Sequence, residues 1–482
     1  MNTDKYQVVI GLEVHAQLLT QSKLFCGDST VFGAAPNTQV SPISLAHPGT
    51  LPVLNEKVIE LAVRLGIALQ CKIANQHFFA RKNYFYPDLP KGYQVSQHTA
   101  PVCQGGFVTI VNNDIQKNIT LNRIHIEEDA GKSIHDLDEN FTCIDLNRAG
   151  VGLLEIVTEP DINSSDEAYL FLTELRRLLR WLDVCDGNME EGSMRCDANI
   201  SVRLKGETKL GTRVEVKNLN SIRNVKKAIE VESLRLITLV ENNEPVIQQT
   251  RSYNAGNNTT FALRNKEEAE DYRYFPEPDL PLFTITQKYI SEVKSSMPAL
   301  PHEREKLYQE KYQLSTYDAK VICSDREDAD FYEQLIEHTN YYKAVANWML
   351  GPLKSYCNSH SILLKNFPLP AEKIAALIDL VEEGKISFNN GSGKILNTLL
   401  NEPSKTAMEV AADLNLLQEA DESSLETWID EVIKDMPTQV QAYKSGKKNL
   451  LGLFAGEVKK RSKGKADMQI TTRLLAEKLN AG

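Results

Sequence analysis

Four stretches of this 482-residue chain set charged side chains two positions apart. Glu13 and His15 alternate in IGLEVHAQL, and His125, Glu127 and Asp129 alternate in IHIEEDAGK. Arg195, Asp197 and Asn199 alternate in GSMRCDANISV, and Arg213, Glu215 and Lys217 in GTRVEVKN. Successive side chains of a β-strand point to opposite faces, so residues two apart share a face. Glu128 then points away from Glu127. Charges gathered on one face of a half-buried sheet are costly unless they are paired or bind a metal. One such strand is an ordinary solvated outer face. Four of them, with imidazole and carboxylate recurring, favour a site. A mixed cluster of His and carboxylates suits Mg²⁺ or Mn²⁺ better than structural zinc, which takes thiolates and imidazoles. Lys and Arg beside such a metal are what ATP phosphates need, which points to phosphoryl transfer.

A fifth stretch, Arg81–Gln97 (RKNYFYPDLPKGYQVSQ), sets Arg81, Lys82 and Lys91 among Tyr84, Phe85, Tyr86 and Tyr93. Tyr86-Pro87 and Leu89-Pro90 push the residue before each proline toward extended backbone. The stretch therefore reads as an ordered loop, and its place between two acidic strands makes it a wall of the pocket. The plainer alternative is an aromatic-anchored surface loop.

The elements that must carry these residues are α+β over residues 1–290. Tyr6–Leu18, Phe107–Val111, Ile119–Ile126, Ala198–Leu204 and Thr212–Val216 read as strands. Asn55–Gln70, Ser164–Leu182 and Ser221–Val240 have helical spacing, and Ser164 with Glu167 suggests a capping box. The proline-rich Tyr274–Phe283 (YFPEPDLPLF) reads as a boundary. From about 291 helical spacing dominates, and Asn401-Glu402-Pro403 marks a second break. Residues 401–437 carry 2 basic and 10 acidic side chains, whereas 438–482 carry 10 basic and 3 acidic. A basic end on a chain of net charge −11 is a candidate phosphate or RNA patch, its alternative being a solvated helix face.

No run of apolar residues is long enough to span a membrane, and the N-terminus lacks signal-peptide features, so a cytoplasmic protein is expected. The 8 cysteines have no CxxC spacing, which suggests neither a zinc ribbon nor a disulfide framework. No Walker motif occurs. Gly131-Lys132-Ser133 resembles the end of one, but Ile126 stands where glycine is required, and Gly391-Ser392-Gly393-Lys394 is followed by Ile395. There is no GxSxG, and Asn2 leaves no N-terminal cysteine nucleophile.

Taken together and in order, VIGLEVHAQL, RKNYFYPDLPKGYQVSQ, IHIEEDAGK, DLNRAGVGLLEIVTEPDI, GSMRCDANISV, VEVKNLNSIRN and KEEAEDYRYFPEPDLP resemble the B subunits of glutamyl/aspartyl-tRNA amidotransferases. YKSGKKNLLGLFAGEVKKRSKGKAD resembles the tail domain of that family. The archaeal tRNA(Gln)-specific relatives share the cradle but carry an inserted domain, so length and the direct passage into helices favour the B subunit. The resemblance implies an α+β fold with a large N-terminal α/β cradle-like catalytic domain (1–290), an all-α helical domain (291–405) and a small α-helical, tRNA-binding tail domain (406–482). It implies a heterotrimer with an amidase-type A subunit, which releases ammonia from glutamine, and a small C subunit. In such a complex the B subunit uses ATP and Mg²⁺ to phosphorylate the side-chain carboxylate of misacylated Glu-tRNA(Gln) or Asp-tRNA(Asn). Ammonia then displaces the phosphate.

By the same resemblance His15, Glu127 and Glu215 match metal positions, with Glu13 beside them for a second or transient ion. Lys82, Lys91, Glu128, Arg195 and Asp197 match polar positions lining the ammonia route or the catalytic pocket. Ammonium must lose a proton before it attacks, and Glu128 is a candidate acceptor. Lys444, Lys447, Lys448, Lys459, Lys460, Arg461, Lys463 and Lys465 are suited to tRNA phosphates. Some members carry a four-cysteine zinc knuckle; here those positions read Cys26, Asp28, Ser41 and Ser44, so no structural zinc is expected and packing or a partner must hold loop Phe25–Leu45. Two rival readings remain. A free-standing carboxylate–amine ligase has no need of the basic tail, and a non-catalytic tRNA scaffold would tolerate loss of Glu127 or Glu215. Whether Gln-tRNA, Asn-tRNA or both are made is not written in the chain.

Overall fold

Tyr6–Gln17 forms the strand on which the first half of the chain is built. Its Ile10, Leu12, Val14 and Ala16 are fully buried, while the alternating Gly11, Glu13, His15 and Gln17 are only half-buried. The pleat thus sorts this strand into an apolar face and a chemical face. The computed structural model describes residues 3–113, 115–265, 272–418, 422–462 and 465–481, and divides into two compact units, Met1–Leu300 and Pro301–Gly482.

Among the described residues the first unit holds a 13-stranded sheet. Its main strands are β1 (Tyr6–Gln17), β2 (Ala80–Asn83), β3 (Tyr93–Ser96), β4 (Ile115–Glu128) and β5 (Gly152–Thr158), followed by β6 (Met194–Leu204), β7 (Val214–Leu219), β8 (Gln249–Asn254), β9 (Thr259–Asn265) and β10 (Phe275–Pro276). They lie in the order β9-β8-β7-β6-β1-β5-β4-β3-β2-β10. β7 and β8 are parallel, and the helix between them supplies the crossover that parallel pairing requires. That helix, α3 (Ile222–Glu241), packs on β6 and β7; α2 (Ser165–Trp181) packs on α3, and α1 (Glu56–Ala68) on β4. The apolar stripe of α2, including Phe171, Leu175 and Leu179, is fully buried. The Ser164 side chain caps α2 by accepting from the Glu167 amide, but the Glu167 carboxylate accepts from Asn163 N and Lys117 rather than closing the capping box.

Two local expectations change. Arg81–Gln97, expected as an ordered loop, is largely a hairpin: β2 and β3 pair antiparallel, with Lys82 opposite Gln94, and both prolines lie in the tip. The proline-rich Tyr274–Phe283 does not leave the sheet. Phe275 pairs with Arg81 at the sheet's edge, where a strand containing proline is tolerated. The first unit continues through Gln287–Ser296, a helix that packs on α1.

The second unit is helical throughout its described residues. Near its end the helices Glu422–Asp435, Pro437–Lys444, Leu451–Arg461 and Met468–Ala481 surround a core that includes Leu425, Ile429, Phe454, Val458 and Leu475. No helix among the described residues is long and apolar enough to cross a membrane.

Candidate active site

Register brings the period-two residues onto neighbouring strands. Glu13 lies opposite Asp197, and His15 lies between Arg195 on β6 and Glu155 on β5. Glu155 lies opposite His125 on β4, and Glu127 is opposite Ser96 on β3. Cross-strand partners share a face, so these residues form one polar surface across β6, β1, β5, β4 and β3.

Two groups of ligating side chains form on it, Glu13–His15–Glu155 and His125–Glu127–Glu155, each with its ligand atoms within 4.8 Å of one another. Glu155 belongs to both. His15 Nε2 is 3.3 Å from Glu155 and 3.7 Å from Glu13; His125 Nε2 is 3.0 Å from Glu127 and 3.7 Å from Glu155. Burial raises the Glu13 carboxyl, and the neighbouring Glu155 raises it further. Burial opposes the charge on Glu127 as well, but His125, Lys82 and the Ser96 hydroxyl outweigh it and hold this carboxyl far below its ordinary range. Burial and Glu127 push Glu155 up, and the two imidazoles overcome them to leave it lowered. Crowded, dehydrated carboxylates that repel one another gain most from a cation, and oxygen ligands with an imidazole fit a hard divalent ion such as Mg²⁺ or Mn²⁺.

Hydrogen bonds orient the cluster. Ser96 Oγ donates to Glu127 at 2.6 Å, and Gln94 Nε2 donates to Glu127 at 3.0 Å and to the Glu128 carbonyl at 2.7 Å. Asp129 accepts from Gln17 Nε2 and Arg195, each at 2.7 Å. Lys217 pairs with Asp197 at 2.5 Å and with Glu215 at 3.3 Å. Lys82 lies on the Glu127 side of the hairpin, opposite Gln94.

The expected site residues divide accordingly. Glu13, His15 and Glu127 stand in the two ligating groups. Glu215 does not; it accepts from Thr250 Oγ1 at 2.9 Å on β8, and Lys217 pairs with both it and Asp197. Lys82, Arg195 and Asp197 share the acidic face. Lys91 and Glu128 lie on the other one: Lys91 Nζ is 2.5 Å from Glu128, whose second oxygen accepts from Val95 N at 2.7 Å. Burial raises the Glu128 carboxyl, and Lys91 only partly offsets it. A cavity of about 250 Å³ opens beside this pair, lined by Phe25, Ile43, His47, Pro52, Tyr93 and Glu277 among others.

Sequence reasoning assigned nothing to Glu155, Gln94, Ser96 and Gln17. The one signal for Glu155 was a lone carboxylate inside the apolar run GLLEIVT. In the second unit Lys444, Lys447, Lys448, Lys459 and Lys460 are exposed and Lys465 is half-buried, while Lys463 lies outside the described residues. Lys448 donates to Asn480, and Arg461 is held by Asp435 at 2.6 Å, so intramolecular partners occupy these two. The loop Phe25–Leu45 is tied by Asp28, which accepts from Ser44 Oγ at 2.5 Å, Ser41 N at 2.9 Å and Cys26 Sγ at 3.3 Å.

Dehydrated carboxylates and imidazoles on one face of a sheet, edged by Lys and Arg, can hold a hard divalent ion beside an anionic ligand. Residues 8–291 match the GatB/GatE catalytic domain and residues 330–479 match the GatB domain. The B subunit of the aspartyl/glutamyl-tRNA(Asn/Gln) amidotransferase from Oleidesulfovibrio alaskensis is 47% identical over 475 residues, covering 98% of this chain and 99% of the relative. That of Rickettsia bellii is 47% identical over 484 residues, covering 100% and 99%. That of Thermodesulfovibrio yellowstonii is 45% identical over 471 residues, covering 98% of each. The chain belongs to the GatB family of tRNA-dependent amidotransferase subunits.

Proposed function

We propose that this chain is the ATP-dependent transamidase component of an aspartyl/glutamyl-tRNA(Asn/Gln) amidotransferase, working in a heterotrimer with a glutaminase A subunit and a small C subunit. The observation that carries this reading is the full-length match to amidotransferase B subunits, with the dehydrated carboxylates inside the matched catalytic domain. The reaction has two balanced steps. A side-chain carboxylate oxygen of Glu-tRNA(Gln) or Asp-tRNA(Asn) takes the γ-phosphoryl group of ATP, leaving ADP. Ammonia then attacks the acyl carbon, the C–O bond breaks, and phosphate departs.

The two faces of the sheet divide this work. Glu13, His15, Glu127 and Glu155 would hold Mg²⁺, which neutralises phosphate charge when bound. Glu215 is farther out and serves through Lys217 and Asp197. Lys82, Arg195 and Lys217 supply positive charge to the phosphates and the substrate carboxylate. On the other face the Lys91–Glu128 pair stands at the cavity through which ammonia would arrive. A carboxylate held above its ordinary range takes a proton from ammonium more readily than an exposed one. Residues 1–290 would act as the catalytic cradle, 291–405 as a helical spacer and 406–482 as the tRNA-binding tail, with Lys444, Lys447, Lys459 and Lys460 the exposed cations that meet phosphates.

Co-expression with candidate A and C subunits, then assay on both misacylated tRNAs with glutamine and with free ammonia, tests the reading. Amidation of at least one tRNA that depends on ATP and is abolished by chelation is expected. Removing residues after about 410 should raise KM for tRNA while ammonia-driven amidation at saturating tRNA survives. Amidation without ATP, or none with either tRNA, would refute it.

A further inference from the structure

Cations on the sheet differ in how far their charge is already matched. Arg195 donates to Asp129 at 2.7 Å, Lys217 to Asp197 at 2.5 Å and Lys91 to Glu128 at 2.5 Å. Arg123, two residues before His125 on β4, is held differently. Its guanidinium donates to Asn122 Oδ1 at 3.1 Å and to His98 Nδ1 at 3.2 Å. Arginine only donates, so the imidazole nitrogen facing it carries no proton, and both acceptors are neutral. The carboxylate beside it, Glu155, is 3.5 Å away, an ion pair too long for a good hydrogen bond. Arg123 Nε is buried without a hydrogen-bond partner. The strand is shaped to put this side chain there. Val157 on β5 faces Arg123, but Thr158 faces Leu121, so Asn122 is an extra residue, a bulge in β4. Consecutive side chains of a regular strand point to opposite faces, and the bulge is what lets Asn122 meet Arg123. His98 is fixed in turn. Its ring stacks on Tyr274 with centroids 5.3 Å apart, and its amide donates to Ser96 Oγ at 3.0 Å, the hydroxyl that donates to Glu127.

Resting on the function proposed above, we propose that Arg123 is a catalytic residue of the phosphoryl transfer, its guanidinium meeting the γ-phosphoryl oxygens as the group leaves ATP. In that step an oxygen of the side-chain carboxylate bonds to the γ-phosphorus. The bond from phosphorus to the β–γ bridging oxygen breaks, ADP keeps that oxygen with the electron pair, and no proton moves. Charge spreads over the three equatorial oxygens of the group in flight, and a planar guanidinium stabilises it most when it is already in place. Neutral acceptors hold Arg123 in place without cancelling its charge. Its neighbour Glu155 belongs to both ligating groups, so an anion drawn to them meets Arg123. The long contact with Glu155 argues against the simpler role of orienting that carboxylate.

The test uses the complex reconstituted with A and C subunits, saturated with misacylated tRNA and free ammonia. Arg123→Ala should lower kcat about 10³-fold, the lower end of what a transition-state arginine supplies, and leave KM for ATP within about threefold of wild type. Binding of ADP with aluminium fluoride, a mimic of the group in flight, should weaken by a similar factor, and binding of ADP alone should not. Arg123→Lys should recover about tenfold at most, because an ammonium lacks the planar fork. His98→Phe keeps a ring on Tyr274 but removes the acceptor, and should lower kcat about tenfold. Mn²⁺ affinity, read by EPR without nucleotide, should fall in none of them. A kcat loss under about tenfold in Arg123→Ala overturns the assignment. So does a fall in Mn²⁺ affinity that matches the loss of rate, which would make Arg123 an orienter of Glu155. A loss of ADP affinity as large as that of the mimic overturns it too, since Arg123 would then anchor the nucleotide before reaction. If Arg123→Ala does not fold, wild-type kcat in both Arg123→Lys and His98→Phe overturns it. A wild-type complex without ATP-dependent amidation refutes the functional reading itself, and the assignment with it.

Discussion

Glu127 and Glu128 are consecutive and both buried, yet their surroundings are opposite. Glu127 faces His125 and Glu155, on a surface where carboxylates outnumber the cations that touch them. Glu128 faces Lys91 at 2.5 Å and the Val95 amide, so its charge is matched within the fold. The pleat of a single strand thus separates a site that needs a cation from outside from one that neutralises itself. The sharpest way to break this contrast is to remove carboxylates of the ligating groups, Glu155 being the one common to both. Glu127→Ala and Glu155→Gln should each lower ATP-dependent amidation by about 10³-fold with glutamine and with free ammonia alike, the scale of losing a preorganised electrostatic group. Initial rates in the reconstituted complex measure this. A loss under tenfold would make the acidic face a charged surface and the chain a scaffold.

The opposite face should respond first in stability. Lys91→Met leaves the carboxylate of Glu128 buried without its cation, which should cost about 3 kcal/mol, measured by denaturant unfolding. Lys91→Met with Glu128→Leu should recover most of it, because removing both charges also removes the dehydration cost. A single variant as stable as the wild type would show that water, not Lys91, compensates Glu128.

Catalysis on that face should show in the pH profile. Burial holds the Glu128 carboxyl above its ordinary value, so it becomes a base only once the pH exceeds that raised value. The ratio of the wild-type to the Glu128→Gln rate with free ammonia should therefore widen, to about 10²-fold, as the pH rises through that raised value. As the pH rises until ammonia needs no base, the gap between the two should narrow. A gap that is constant with pH would reduce Glu128 to a partner of Lys91.

Much of the chemical face could be read from the chain because strand parity is a local property. Glu13 with His15, and His125 with Glu127, needed only period two. Glu155 did not repeat within its own strand, so only the β5 register revealed that both ligating groups share it. Register also set Glu215 apart, since β6 and Asp197 stand between it and β1. The hairpin at Ala80–Ser96 was hidden because its prolines, which mark the tip, weigh on the whole stretch when read locally. The fold also carries Asp435 to within 2.6 Å of Arg461, a contact between separate helices that no local pattern encodes.

The smallest effect belongs to the wall of the Lys91–Glu128 cavity. Phe25 and Ile43 line that cavity and belong to the loop tied by Asp28. Burial works against the charge on Asp28, but Ser44, Cys26 and Ser41 outweigh it and hold the carboxyl below its ordinary value. A depressed carboxyl contributes stability above the unfolded aspartate value of about 3.9, and loses it as the pH falls through the folded value. Asp28→Asn keeps the shape but replaces the charged acceptor, so about 1 kcal/mol should be lost near neutral pH. The difference should close in acid, where the wild-type carboxyl is itself protonated. Urea unfolding at several pH values reads both parts. A difference that persists undiminished at low pH would mean that the loop is held by shape, with the Asp28 charge idle. A larger loss, accompanied by weaker use of free ammonia, would tie the loop to the Lys91 side of the sheet and leave the acidic face untouched.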